Sequence, residues 1–138
     1  MADPRYILDT GPLVAFTNAT DIHHQWAKNV LDTLGDTPVT CEIVLAEACY
    51  LLNSSQRAVD LILSLPALKR VTVQSVLADN SGEIRTAMGK YWPAMDIADA
   101  CVLLLAGRYP RAKIITTDLR DFRIYRRPGG QALNLIHP

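Results

Sequence analysis

Apolar residues along this chain fall into two rhythms. Short unbroken runs, such as Tyr6-Ile7-Leu8 and Ile114-Ile115, are bounded by polar or turn-forming residues. Longer stretches repeat their apolar positions every three or four residues, as in HQWAKNVLDTL. The first rhythm predicts buried strands and the second predicts helices. Strands are expected at residues 5–9, 38–40, 70–73 and 113–117, with a last one near 132–136. A short helix is expected from Pro12. The next follows Asp21 as N-cap, carries Trp26, Val30, Leu31 and Leu34 on one face, and ends at Gly35. Further helices are expected over 42–53, over 55–65 up to Pro66, over 76–91 with a break near Gly82, and over 96–109.

Strands that alternate with helices predict βαβ units, hence an α/β domain with a mostly parallel sheet covered on both faces. No repeat, low-complexity tract or Gly/Ser linker divides the chain, so residues 1–138 read as one domain. In open sheets of this kind ligands bind beyond the carboxyl ends of the strands. Two of the predicted strands stop on a carboxylate: YIL runs into Asp9, and KIITT runs into Asp118.

Composition narrows the setting. Hydrophobic residues make up 49% of the chain and charged residues 20%, which suits a packed core and not a disordered segment. The longest apolar stretch, residues 100–107, is too short to span a bilayer, and Asp9 interrupts the first one, so neither a membrane protein nor a secretory signal is expected. Three cysteines without CxxC spacing, Cys41, Cys49 and Cys101, read as reduced, packed thiols of a cytoplasmic protein. The net charge of zero conceals an asymmetry. Residues 1–60 hold three bases against eight acids, whereas residues 108–127 hold seven bases against Asp118 and Asp121. A basic surface of that kind attracts a polyanion even when the whole chain is neutral.

The acids carry the chemistry. Asp9-Thr-Gly-Pro is good turn sequence, so Asp9 gains meaning only from partners. Glu47 lies inside the apolar helix VLAEACYLL, sharing a face with Val44, Ala48 and Leu51. A carboxylate there predicts an inward, partnered side chain, since desolvating it alone costs several kcal/mol. Asp96 and Asp99 stand at the head of a helix, where acids also serve as caps. Asp99 is followed at once by ACVLLL and is the better site candidate of the two. Asp118 and Asp121 repeat that spacing, and Thr116 shares a strand face with Asp118. The expectation is that Asp9, Glu47, Asp99 and Asp118 converge. Two carboxylates ~5 Å apart repel by roughly 3 kcal/mol at an effective dielectric near 20. Four together need protons or cations. With no Cys or His beside them, these hard oxygen donors point to Mg²⁺ or Mn²⁺, and the matching reaction is metal-assisted phosphodiester hydrolysis.

The segments ILDTGPLVAF, IVLAEACYLL, MDIADACVLLLA and IITTDLRDFRIYR, in this order along the chain, resemble the PIN-domain ribonucleases, and among them the VapC-type toxins of toxin–antitoxin pairs. The resemblance implies a three-layer α/β/α domain and a Mg²⁺- or Mn²⁺-dependent endoribonuclease. It puts the family's acids on Asp9, Glu47, Asp99 and Asp118 as catalytic and metal-holding residues. Asp96, Asp121, Thr10 and Thr116 fall on supporting positions. It also implies an RNA substrate, a cognate antitoxin protein, a homodimer, and no sequence-specific DNA binding by this chain alone.

Several other residues carry expectations. Arg120, Arg123 and Arg126 are candidates to hold RNA phosphates. His23 and His24 are expected in a solvent-facing first turn, and Trp26 in the core or a subunit contact. Tyr91-Trp92-Pro93 has the chemistry to stack on a base, but burial under the following loop is the expectation. Two other functions compete with this reading. A phosphatase of the haloacid-dehalogenase type needs a second Asp where this chain has Gly11. A non-catalytic RNA- or protein-binding module with a vestigial acidic site is the main alternative.

Overall fold

The computed structural model describes residues 2–138. Five parallel strands form one sheet: β1 (Tyr6–Leu8), β2 (Val39–Cys41), β3 (Thr72–Gln74), β4 (Lys113–Ile115) and β5 (Leu135–Ile136), in the order β3-β2-β1-β4-β5. Seven helices connect them: α1 (Thr10–Thr17), α2 (His24–Thr33), α3 (Glu42–Leu51), α4 (Gln56–Ser64), α5 (Leu77–Lys90), α6 (Ile97–Arg108) and α7 (Leu119–Phe122). Helices on both faces of the sheet give the three-layer α/β/α arrangement expected from the alternating pattern.

β1 is central, which explains its unbroken apolar sequence. Ile7 pairs with Val39 on one side and Ile114 on the other, and all three are fully buried. A strand enclosed on both faces has no polar side to alternate with. α6 packs across β1, β2 and β4, so its residues 100–103 and 105–106 are buried nearly all round, as the continuous apolar sequence requires. α4 is the opposite case: Ala58 and Ile62 face inward while Leu61 and Leu63 meet solvent.

Strand order reverses between β1 and β4. From β1 the chain moves to β2 and β3 on one side, then returns across to β4 and β5 on the other. A crevice opens at the carboxyl ends of the two strands where the direction changes. The backbone N–H of Asp9 still reaches the Ile115 carbonyl at 3.1 Å, so Asp9 sits at the base of that crevice.

Several local expectations need correction. α1 starts at Thr10, with Asp9 itself in the N-cap position, because strand and helix join without a turn. Asp21 does not cap α2. It accepts the His23 N–H at 2.8 Å in a turn ahead of the helix, and His23 occupies the cap position. His23 and His24 are half-buried, not solvent-facing; His24 Nδ1 donates to the Ala15 carbonyl at 2.7 Å and fastens α2 to α1. The third strand lies at 72–74, since Val71 turns into the core just before it. The break in α5 falls at Asn80, not Gly82.

Gly11 is required by close approach. A Cβ there would stand 2.0 Å from Thr117 Oγ1 and 3.2 Å from Thr117 Cβ. The first turn of α1 therefore presses against the segment after β4, which brings Asp9 toward Asp118. Gly11→Ala is expected to lower stability by about 1–3 kcal/mol through overpacking. Adding Thr117→Ala should return most of that loss in thermal melts, and an unchanged melting temperature in the single variant would refute the contact.

Candidate active site

The first carboxylate is held by the strand beside it. Thr116, fully buried at the end of β4, donates its hydroxyl to Asp9 Oδ2 at 2.7 Å. Thr116 Oγ1 in turn accepts the Asp118 N–H at 2.9 Å. One threonine thus fixes two acids that are distant in sequence. Behind them, the buried Thr40 hydroxyl donates to the Leu8 carbonyl at 2.9 Å and secures the end of β1.

The helix starts supply the other acids. Asp96 accepts the Asp99 N–H at 2.8 Å, and Asp99 reaches back to the Asp96 N–H at 3.4 Å. This reciprocal cap sets the first turn of α6. Asp99 also accepts the Tyr125 hydroxyl at 2.9 Å. Asp118 accepts the Asp121 N–H at 3.1 Å and caps α7. Capping and site membership are therefore compatible, because each cap uses one carboxylate oxygen and leaves the other. The starts of α1, α6 and α7 meet here, and their partial positive charge offsets part of the acids' repulsion.

Asp99, Asp118 and Asp121 form the tightest group: one carboxylate oxygen from each lies within 4.8 Å of the others. All three are half-buried. Asp9 lies at the floor, tied in through Thr116. Glu47 is half-buried on α3, with Asp96, Asp9 and the Thr10 side chain nearby. Among the described residues it has no basic partner; the neighbours it gains are the Thr10 side chain and the acids Asp96 and Asp9. Its face of α3 also runs out of the core, since Val44 and Ala48 are buried while Leu51 is 56% exposed.

Electrostatics follow from this crowding. Burial, helped by the Asp118 and Asp96 charges, raises Asp9 to about 6 despite the Thr116 hydrogen bond. Burial and then Asp96 raise Asp99 to about 7, against the opposing pull of Tyr125. Glu47 and Asp118 are pushed up as well, first by burial; the neighbouring acids Asp96 and Asp9 add to the rise at Glu47, and Asp121 at Asp118. A pocket of this kind favours a cation. The buried Thr10 hydroxyl faces Glu47 and adds a further oxygen to the same floor. The donors are all oxygen, as a hard divalent ion requires.

The arginines are less focused. Arg120 is exposed and its charge opposes the rise at Asp118, and Arg123 is exposed too. Arg126 folds part of its guanidinium onto the carbonyls of Ile124 and Tyr125, closing the end of α7. Arg127 binds the Ala106 carbonyl at the far end of α6.

Two residues were missed by the sequence reading. Tyr125 holds Asp99, and only the rule that a buried tyrosine needs a hydrogen-bond partner hinted at a role. Trp92 was expected under a loop but is 73% exposed, while Tyr91 before it is half-buried against Tyr125 and Met95 after it is buried.

Known proteins resemble this chain in sequence and in fold. Residues 6–128 match the family model described as PIN domain. The chain is 32% identical over 136 residues to Ribonuclease VapC26 of Mycobacterium tuberculosis, covering 94% of this chain and 98% of the relative. Among solved structures it superposes on M. tuberculosis VapC20, titled a Sarcin-Ricin loop cleaving toxin. The TM-score is 0.72 and the identity 22%, over 79% of this chain and 86% of that one. It also superposes on VapBC2 from Rickettsia felis bound to a promoter DNA fragment. There the TM-score is 0.61 and the identity 20%, over 96% and 98% of the two chains.

Proposed function

We propose that this chain, which belongs to the PIN-domain family, is an endoribonuclease that hydrolyses RNA phosphodiester bonds with a bound Mg²⁺ or Mn²⁺ and serves as the toxin of a toxin–antitoxin pair. The observation that carries the reading is the meeting of Asp99, Asp118 and Asp121 at the strand-order reversal, with Asp9 beneath and Glu47 alongside. A ribonuclease named among its relatives supports the substrate class.

Asp99, Asp118 and Asp121 are the residues that would hold the ion, with Asp9 and Glu47 completing the negative field. When bound, a divalent ion neutralises charge on the scissile phosphate and acidifies water at neutral pH. The chain's own contribution is positioning. Thr116 fixes Asp9 and the Asp118 backbone, Tyr125 fixes one oxygen of Asp99, and the Asp96–Asp99 cap keeps α6 from fraying into the pocket. Asp99 retains much of its proton near neutrality in the metal-free chain, and Asp9 retains its own only at more acid pH, so loading releases protons and metal affinity rises with pH. Arg120 and Arg123, exposed beside Asp118, are suited to the flanking phosphates.

The same negative pocket explains how a partner would silence the enzyme. An antitoxin side chain with a positive charge, placed between these acids, would replace the ion. The solved VapBC complexes among the structural neighbours support a protein partner of this kind. A homodimer is part of the proposal, and DNA recognition is assigned to the antitoxin.

The test is direct. Purified chain is incubated with structured ribosomal RNA in Mg²⁺, in Mn²⁺ and in EDTA, beside Asp99→Asn. Cleavage in either metal, absent in EDTA and in the variant, is expected. RNA retained uncut under every condition would favour a binding module with a vestigial site.

A further inference from the structure

We propose that Trp92 is a stacking platform for an unpaired nucleobase of the substrate, placed beside the acidic pocket; this deepens the nuclease reading and rests on it. The indole is 73% exposed, although burying a tryptophan removes 150–250 Å² of surface from water. The other tryptophan, Trp26, packs against the core. An exposed indole therefore needs a reason, and its surroundings supply one.

The turn that presents Trp92 is fixed at both ends. On one side, the Tyr91 ring meets the Tyr125 ring edge-on with centroids 5.0 Å apart, and the Tyr91 hydroxyl accepts the Arg126 N–H at 3.0 Å. On the other side, the Ala94 and Met95 N–H groups donate to the Tyr91 carbonyl at 2.9 and 3.3 Å, and Met95 is 1% exposed. The indole thus projects from an anchored support, and little order has to be gained when it binds.

That support is built into the pocket. Tyr125, against which Tyr91 packs, donates to Asp99. Asp96, the cap of the Asp99 helix, comes four residues after Trp92, so even a fully extended chain would separate their Cα atoms by no more than about 14 Å. A base on Trp92 would therefore lie within a few nucleotides of the bond held at the acids.

Charge agrees with a nucleic-acid occupant. Lys90 sits with Nζ 5.2 Å from the Tyr91 ring centroid, and Arg123, two residues before Tyr125 in the chain, is exposed. An aromatic plane flanked by cations is the combination that holds unpaired strands, base on ring and phosphate on cation.

The test uses the full chain and a random-sequence 20-mer RNA pool as probe. Binding is measured in Mg²⁺ on an Asp99→Asn background, so that RNA is not consumed. Trp92→Ala is expected to weaken binding roughly 5- to 150-fold, the effect of removing one stacked base, and Trp92→Phe to restore most of it. Tryptophan fluorescence should be quenched by RNA in the Trp92 chain and not in Trp92→Phe. In the otherwise unmodified chain, Trp92→Ala should raise KM for cleavage with little change in kcat. Unchanged affinity and KM in Trp92→Ala overturn the platform and leave the nuclease reading standing. Trp92-dependent binding without any cleavage by the unmodified chain sinks the nuclease reading instead. A Trp92→Ala chain that changes only its mass in sedimentation would assign the indole to a protein contact and overturn the proposal.

Discussion

At pH 8 and without divalent metal, Asp9→Asn is expected to melt roughly 4–8 °C above the unmodified chain while cleaving no RNA. Asp9 is 5% exposed and titrates near 6 in the folded chain, against an ordinary value of 3.8. Its folded pKa is raised, so the folded state binds the proton more tightly than the unfolded state does. The stabilisation from that proton is complete below about pH 4 and is lost as pH rises through 6. Ionised at pH 8, the buried carboxylate costs about 3 kcal/mol. Asparagine keeps an acceptor for the Thr116 hydroxyl and removes the charge, and a net gain of about 1–2 kcal/mol remains once the weaker neutral hydrogen bond is counted. At pH 5 the two chains should melt within a degree or two of each other. Adding millimolar Mg²⁺ at pH 8 should raise the melting temperature of the unmodified chain, and less so that of the variant. An Asp9→Asn chain that melts lower than its parent at pH 8 would show that the acids do not repel as described.

Asp121→Asn should lower kcat/KM for RNA cleavage by about 100-fold, as much as Asp118→Asn, although Asp121 has the weaker sequence claim. Its carboxylate stands in the 4.8 Å group with Asp99 and Asp118, the set proposed to hold the ion. Loss of a group that holds or orients a metal costs about 10–100-fold in affinity or more. Asp96→Asn serves as the control. Asparagine caps a helix as well as aspartate does, so the start of α6 survives and only a more distant charge is removed. Cleavage is measured against metal concentration for all three variants. Raised Mn²⁺ should partly rescue Asp121→Asn and Asp118→Asn. If Asp121→Asn cleaves like its parent while Asp118→Asn does not, Asp121 is only a cap.

The elements were largely legible because each is governed by neighbours a few residues away. Tyr6-Ile7-Leu8 and Ile114-Ile115 announced enclosed strands by lacking any polar alternate. The helix expected over 55–65 forms from Gln56, because the Ser55 hydroxyl accepts the Ala58 N–H at 3.1 Å and caps α4. Errors occurred where a tertiary contact outweighed local preference. His24 left solvent to bind the Ala15 carbonyl, and of the aromatic pair expected under a loop only Tyr91 packs inward, against Tyr125, while Trp92 stays exposed.

By itself, then, the sequence determined the alternation of strand and helix, the two strand ends that stop on carboxylates, and the presence of acids at helix heads. Periodicity and capping are short-range and leave their record in adjacent residues. The tertiary structure alone decided which acids share an oxygen-lined pocket, that Asp121 stands inside the group while Glu47 stands beside it without a cation, and that Tyr125 steadies Asp99. Thr116 and Asp9 are 107 residues apart in the chain and 2.7 Å apart in space. No local pattern encodes such a distance; the reversal of strand order between β1 and β4 creates it.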